Sequence, residues 1–135
     1  MRRDVPMLGI CQGAQAIAHV LGAGVGPIPG DPHEFGYYPD YGTPAARNSI
    51  PEVLHVAQAH FHEFDLPVGA ELLATGDPFP HQAFRYGEHT CAFQFHPDVT
   101  IAGFRRWQNA YWARLRQPGS ADPGGAGRAR SVPRQ

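Results

Sequence analysis

The sequence predicts an α/β fold, and three observations carry the prediction. An apolar run, VPMLGI (5–10), turns within two residues into a helical pattern. Several short strand-like runs follow between residues 53 and 95, and a long amphipathic segment covers 100–116. The first run is bounded by Pro6 and Gly9 and reads as a strand covered on both faces. From Gly13 onward Ala14, Ile17, Ala18 and Leu21 recur at three- and four-residue steps, so a helix follows, with Gly22 placed to stop it. Residues 23–52 are rich in Gly and Pro, with short extended pieces near 25–28 and 35–38. VLHVAQAH (53–60), ELLAT (71–75), QAFRY (82–86) and CAFQF (91–95) read as strands separated by turn residues. In TIAGFRRWQNAYWARLR, Ile101, Phe104, Trp107, Tyr111 and Leu115 share a helix face, and Phe104, Trp107 and Tyr111 are expected in the core. The remainder, 117–135, is polar, Gly- and Pro-rich and free of aromatics, which predicts a disordered tail behind one structured domain over 1–116.

Composition narrows the function classes. A formal net charge of −1 gives no electrostatic footprint for nucleic acid or an anionic membrane, so neither is expected as a partner. Two cysteines are too few for a disulfide framework. No stretch approaches the ~18 uninterrupted apolar residues of a membrane span, and the start has no apolar run of signal-peptide length. A cytoplasmic location is the resulting expectation.

Chemistry concentrates in two places. The first is LGICQGAQ, where Cys11 stands between Gly9 and Gly13 at the corner between strand and helix. A nucleophile on so tight a turn needs small neighbours, because its backbone crowds the adjoining strand and helix. A helix N-terminus also favours thiolate over thiol, and the amide N–H after the cysteine, that of Gln12, can face an oxyanion. The competing reading of Cys11 is a small buried hydrophobe among glycines that only permit close packing. The second place is QFHPDVT. His96 falls at a strand end because Pro97 cannot continue a ladder. Asp98, two residues on, projects to the same side in extended chain and can orient one imidazole nitrogen. By itself His-Pro-Asp reads rather as an ordinary turn with a solvated carboxylate.

With both motifs in place, the chain resembles the class I (triad) glutamine amidotransferases, and especially domains similar to the amidotransferase portion of GMP synthase. GICQGAQ is similar to the family's nucleophile elbow and QFHPDVT to its His-Pro-Glu segment. EFGYYPD (34–40), QAHFHEFDLPVGAELLAT (58–75) and HQAFRYG (81–87) extend the likeness, in order, over about residues 5–116. The resemblance implies a flavodoxin-like, mostly parallel sheet with flanking helices. It implies Cys11 as nucleophile, His96 as base and Asp98 as its orienting carboxylate. Gln12 would supply an oxyanion amide, Gln15 would contact the amino-acid end of the substrate, and Gln58 and His60 would line the pocket. The chain departs from the family pattern in having Asp98 for Glu, Ala59 for Trp, and His62 for an acidic residue. The family also places several strands and helices, with a glycine-rich loop that donates a second oxyanion N–H, ahead of the cysteine strand. This chain starts about ten residues before Cys11, so an N-terminally incomplete domain is expected.

The implied reaction is hydrolysis of the glutamine side-chain amide through a γ-glutamyl thioester, with no cofactor and with ammonia passing to a synthetase partner. A hydrolase of γ-glutamyl amides with water as sole acceptor, and a non-catalytic remnant that binds glutamine or a partner, are the alternatives. His60 and His62 share a strand face with His55 nearby, but two histidines at this spacing without a third ligand make a weak metal signal, and no metal is expected. Cys91 is expected to be inert.

Overall fold

Strand β1 (Met7–Ile10) pairs in parallel with β8 (Thr90–Phe93), Gly9 standing opposite Ala92. The computed structural model describes residues 5–115, and the tail expected over 117–135 lies outside them. After β1 come α1 (Gln12–Val20), β2 (Val25–Gly26) and the long β3 (Glu34–Gly42). A short 3-10 turn (Pro44–Ala46) leads to β4 (Val53–His60) and β5 (Glu63–Phe64). Then follow β6 (Glu71–Thr75), β7 (Ala83–Tyr86), β8 and the closing helix α2 (Ile101–Leu115). Six strands form one sheet in the order β1-β8-β7-β6-β3-β4, and β2 and β5 form a small antiparallel pair.

Only the β1–β8 ladder is parallel among the described residues; the β8–β7, β7–β6, β6–β3 and β3–β4 ladders are antiparallel. The expectation of a mostly parallel sheet is corrected on this point. Parallel neighbours need a long crossover, and β1 and β8 are separated by most of the chain. The strands from β6 to β8 are linked by short turns, which reverse direction.

The two faces of the sheet bury different clusters. On β7 and β8, Phe84 and Ala92 stand opposite each other and pack with Ala14 and Ala18 of α1 and with Phe64. Their neighbours Ala83 and Phe93 point the other way, toward Leu73, Ala74, Val56 and Phe95. This alternation is the period of two that a strand covered on both faces requires. Gly22, at φ +89°, ends α1 as the sequence predicts.

The sheet curls strongly. Strand β3 meets β6 only through Tyr41 and Gly42, while residues 34–41 pair with β4. The β3–β4 hairpin thus leaves the sheet and returns over the end of β8, where the His96 amide donates to Ala57 O at 2.9 Å. Strand β8 stops at Phe93 rather than Phe95 because the chain there changes partners: Gln94 N–H bonds to Gln82 O and His96 N–H to β4.

Helix α2 is capped by the preceding Thr100, whose hydroxyl accepts the Gly103 amide at 3.1 Å. It packs on the hairpin through Phe104 and Tyr111 against Phe35, and through Phe104 against Tyr37. Phe104 is fully buried, but Ile101 is 60% and Trp107 44% exposed, so the expected apolar face is only partly covered among the described residues. No helix of the described residues is long and apolar enough to cross a membrane.

Candidate active site

Cys11 holds the corner between β1 and α1 at φ 52°, ψ −110°, a conformation that L-residues rarely adopt and that costs about 1–3 kcal/mol. Three features fix it. Its amide donates to Phe93 O at 2.7 Å, and its carbonyl accepts the first helical bond, from the Gln15 amide at 3.1 Å. Gly9 lets the helix approach: a Cβ there would lie 2.7 Å from Gly13 O and 2.8 Å from Ala14 N. Gly13 has no such constraint, since a Cβ would meet nothing within 4 Å. Of the two glycines the sequence singles out, one answers a steric need among the described residues.

The Cys11 sulfur lies 3.6 Å from Ala59 O on β4 and 3.8 Å from the side-chain amide nitrogen of Gln94. Burial pushes its thiol above the ordinary value, and the nearby Asp98 carboxylate adds to the rise. The Gln12 backbone N–H and the Gln94 amide pull the other way. The N–H at the helix start thus favours the thiolate as expected, but desolvation outweighs it. A thiol of this kind needs a base.

His96, three residues beyond the end of β8, is bonded to the same stretch of β4. Its backbone is tied to Ala57, two residues from the Ala59 carbonyl that the Cys11 sulfur meets. Its Nδ1 is 3.2 Å from Asp98 Oδ1, and its ring rests on Trp107 at 5.3 Å, nearly perpendicular. The His96–Asp98 contact forms through a turn at Pro97 and Asp98 rather than in extended chain. Nδ1 is thereby engaged, which leaves Nε2 for chemistry.

A cleft of about 400 Å³ opens above the sulfur, lined by Cys11, Gln12, Gln15, Ala59, His60, Phe61 and His62. Of the residues expected in the substrate pocket, Gln12, Gln15 and His60 line it. Gln58 is corrected: it is fully buried, and its amide donates to Asp40 at 3.1 Å and to Gln82 at 2.8 Å. The register sends Gln58 to the inner face of the hairpin, opposite Gly36. His60 shares that face. Its Nε2 meets Glu34 Oε2 at 2.8 Å and its Nδ1 meets His62 O at 2.9 Å, so both ring nitrogens are occupied.

Two site residues escape sequence reasoning. Trp107 supports the His96 ring instead of filling the core. Gln94 is wholly buried against the cysteine, and the sequence does carry a signal for it: a lone amide inside the apolar run CAFQF must find buried partners.

The structure thus shows a strained cysteine at a strand–helix corner and a histidine–carboxylate pair, the cysteine sulfur and the histidine amide both meeting β4 within residues 57–59. Comparison with known proteins narrows the class. The model of the family "Glutamine amidotransferase class-I" matches residues 1–106, and the chain belongs to this family. Similar curated proteins include the glutamine-hydrolyzing GMP synthases of Porphyromonas gingivalis W83, 35% identical over 107 residues, and Thermomicrobium roseum, 36% identical over 104. Each match covers 73% of this chain, but 20% of the first protein and 19% of the second, so the chain spans about a fifth of their length. Among solved structures, a glutamine amidotransferase from Thermotoga maritima aligns with TM-score 0.72 and 36% identity over 82% of this chain and 48% of its own. A putative GMP synthase subunit from Thermoplasma acidophilum aligns with TM-score 0.65 and 29% identity over 84% of this chain and 61% of its own. The α/β amidotransferase fold is shared with these neighbours.

Proposed function

We propose that the chain hydrolyses the side-chain amide of glutamine, with Cys11 as nucleophile, His96 as base and Asp98 as the carboxylate that orients His96. The observation that carries this reading is the common anchoring of Cys11 and His96 on residues 57–59 of β4, with the cysteine sulfur facing the cleft. His96 Nε2 takes the Cys11 proton as the sulfur attacks the carboxamide carbon. The Gln12 N–H, at the start of α1, faces the oxyanion that develops. The imidazolium then protonates the departing nitrogen, ammonia leaves, and a γ-glutamyl thioester remains on Cys11. Water attacks the thioester carbonyl as Nε2 takes its proton; glutamate leaves and the thiol is restored. Gln15 binds substrate through its side-chain oxygen, since its nitrogen is committed to His62 O and Gln94. The names of the related GMP synthases, and of the Thermoplasma neighbour, support a synthetase as ammonia acceptor, and a cytoplasmic setting goes with that partner.

The test is glutamate and ammonia release from glutamine. His96→Ala is expected to lower turnover by at least ~100-fold, the usual weight of a general base, and Asp98→Asn to lower it less. Undiminished release by His96→Ala would remove the base from this role.

A further inference from the structure

The amide groups beside the cysteine are oriented by a backbone carbonyl, and that orientation reaches the sulfur. The His62 carbonyl can only accept. It receives His60 Nδ1 at 2.9 Å and Gln15 Nε2 at 3.1 Å. Gln15 therefore turns its nitrogen, not its oxygen, toward His62. The second hydrogen of that nitrogen points to Gln94, 3.2 Å away, so Gln94 must present its oxygen there. The nitrogen of Gln94 is then left facing Cys11 Sγ at 3.8 Å. Amide orientation, which shape alone does not decide, is thus fixed by the network. Gln94 is fully buried and cannot exchange this contact for water.

We propose that Gln94 is a catalytic hydrogen-bond donor to the Cys11 sulfur, held in its donating orientation by the positioning residue Gln15. This rests on the glutaminase reading above, in which the sulfur is the nucleophile. The sulfur is half-buried and feels the Asp98 carboxylate, and both disfavour its anion. A donor that cannot titrate offsets them at every pH. The N–H···S contact strengthens as the sulfur gains charge, so it favours thiolate over thiol.

The experiment measures the rate of alkylation by iodoacetamide against pH, on the full chain carrying Cys91→Ala. The sequence has two cysteines, so Cys11 is then the sole thiol. In Gln94→Met, which keeps length and loses the donor, the midpoint of the profile should rise by about one pH unit. In Gln15→Met, which frees Gln94 to turn, the rise should be smaller, and the double variant should not exceed Gln94→Met. An unmoved midpoint in folded Gln94→Met overturns the proposal. Should that variant not fold, Gln15→Met decides: a rise supports the proposal and an unmoved midpoint overturns it. Alkylation needs no turnover, so an inactive parent chain would count against the glutaminase reading while leaving the midpoint shift to stand or fall separately.

Discussion

Two residues carry unusual physical costs. Cys11 is held at positive φ, and the bonds that hold it come from β8 and α1 rather than from its own side chain. Strain of this kind persists only where surrounding structure over-determines it. Asp40 is the second. It is 1% exposed, burial and the neighbouring Glu34 push its carboxyl up to about 8, and its Oδ1 has no hydrogen-bond partner among the described residues. Its ordinary value is 3.8, so between about 4 and about 8 the folded chain holds a proton that the unfolded chain has released. Stability therefore falls as pH rises through that window, with a slope approaching about 1.4 kcal/mol per pH unit, and levels off above it. Asp40→Asn, which stays neutral, should remove this slope and be stabilising above pH 8 relative to the parent. Urea unfolding at several pH values checks it; an identical slope in both proteins would contradict the assignment.

At the scale of elements, the strand–helix corner depends on close approach between β1 and α1. Gly9→Ala would set a Cβ at 2.7 Å from a backbone oxygen and at 2.7 Å from Ile17 Cδ1. The helix must shift, so we expect a loss of about 2–3 kcal/mol and a displaced cysteine. Gly13→Ala, which meets nothing within 4 Å, should cost far less; thermal unfolding of the pair separates them. The elements themselves are largely legible in the sequence. Strands 53–60 and 71–75 have the bounds their alternation predicts, and the Cys11 corner follows from the change of period at Gly9 to Gly13. Strand direction is not legible, because parallel or antiparallel pairing is decided by how connections route the chain, which leaves no local pattern. Gln58 is not separated from His60 by periodicity, since the two share a face of β4; His60, at the strand's end, lines the cleft, while Gln58, two residues deeper, is taken up by Asp40 and Gln82. Trp107 sits on the apolar stripe of α2, but it stays 44% exposed and its ring lies against His96.

For the whole molecule, the curl of the sheet does the assembling. β1 and β4 are opposite edges in strand order, yet the Cys11 sulfur at the end of β1 reaches Ala59 on β4. The β3–β4 hairpin folds back because β3 pairs with β6 over only two residues and with β4 over eight. A polar network lies inside the fold, running from Asp40 through Gln58, Gln82, Glu34 and His60 to the His62 carbonyl at the cleft. The cleft beside Cys11 and the interior of the hairpin are therefore one connected structure. The central claim, that Cys11 attacks a glutamine side chain bound in this cleft, is tested most directly by mass spectrometry after incubation with a γ-diazoketone analogue of glutamine. One adduct is expected, mapped to Cys11 and suppressed by excess glutamine. Absence of an adduct on the folded chain, or labelling of Cys11 and Cys91 alike without protection by glutamine, would contradict it.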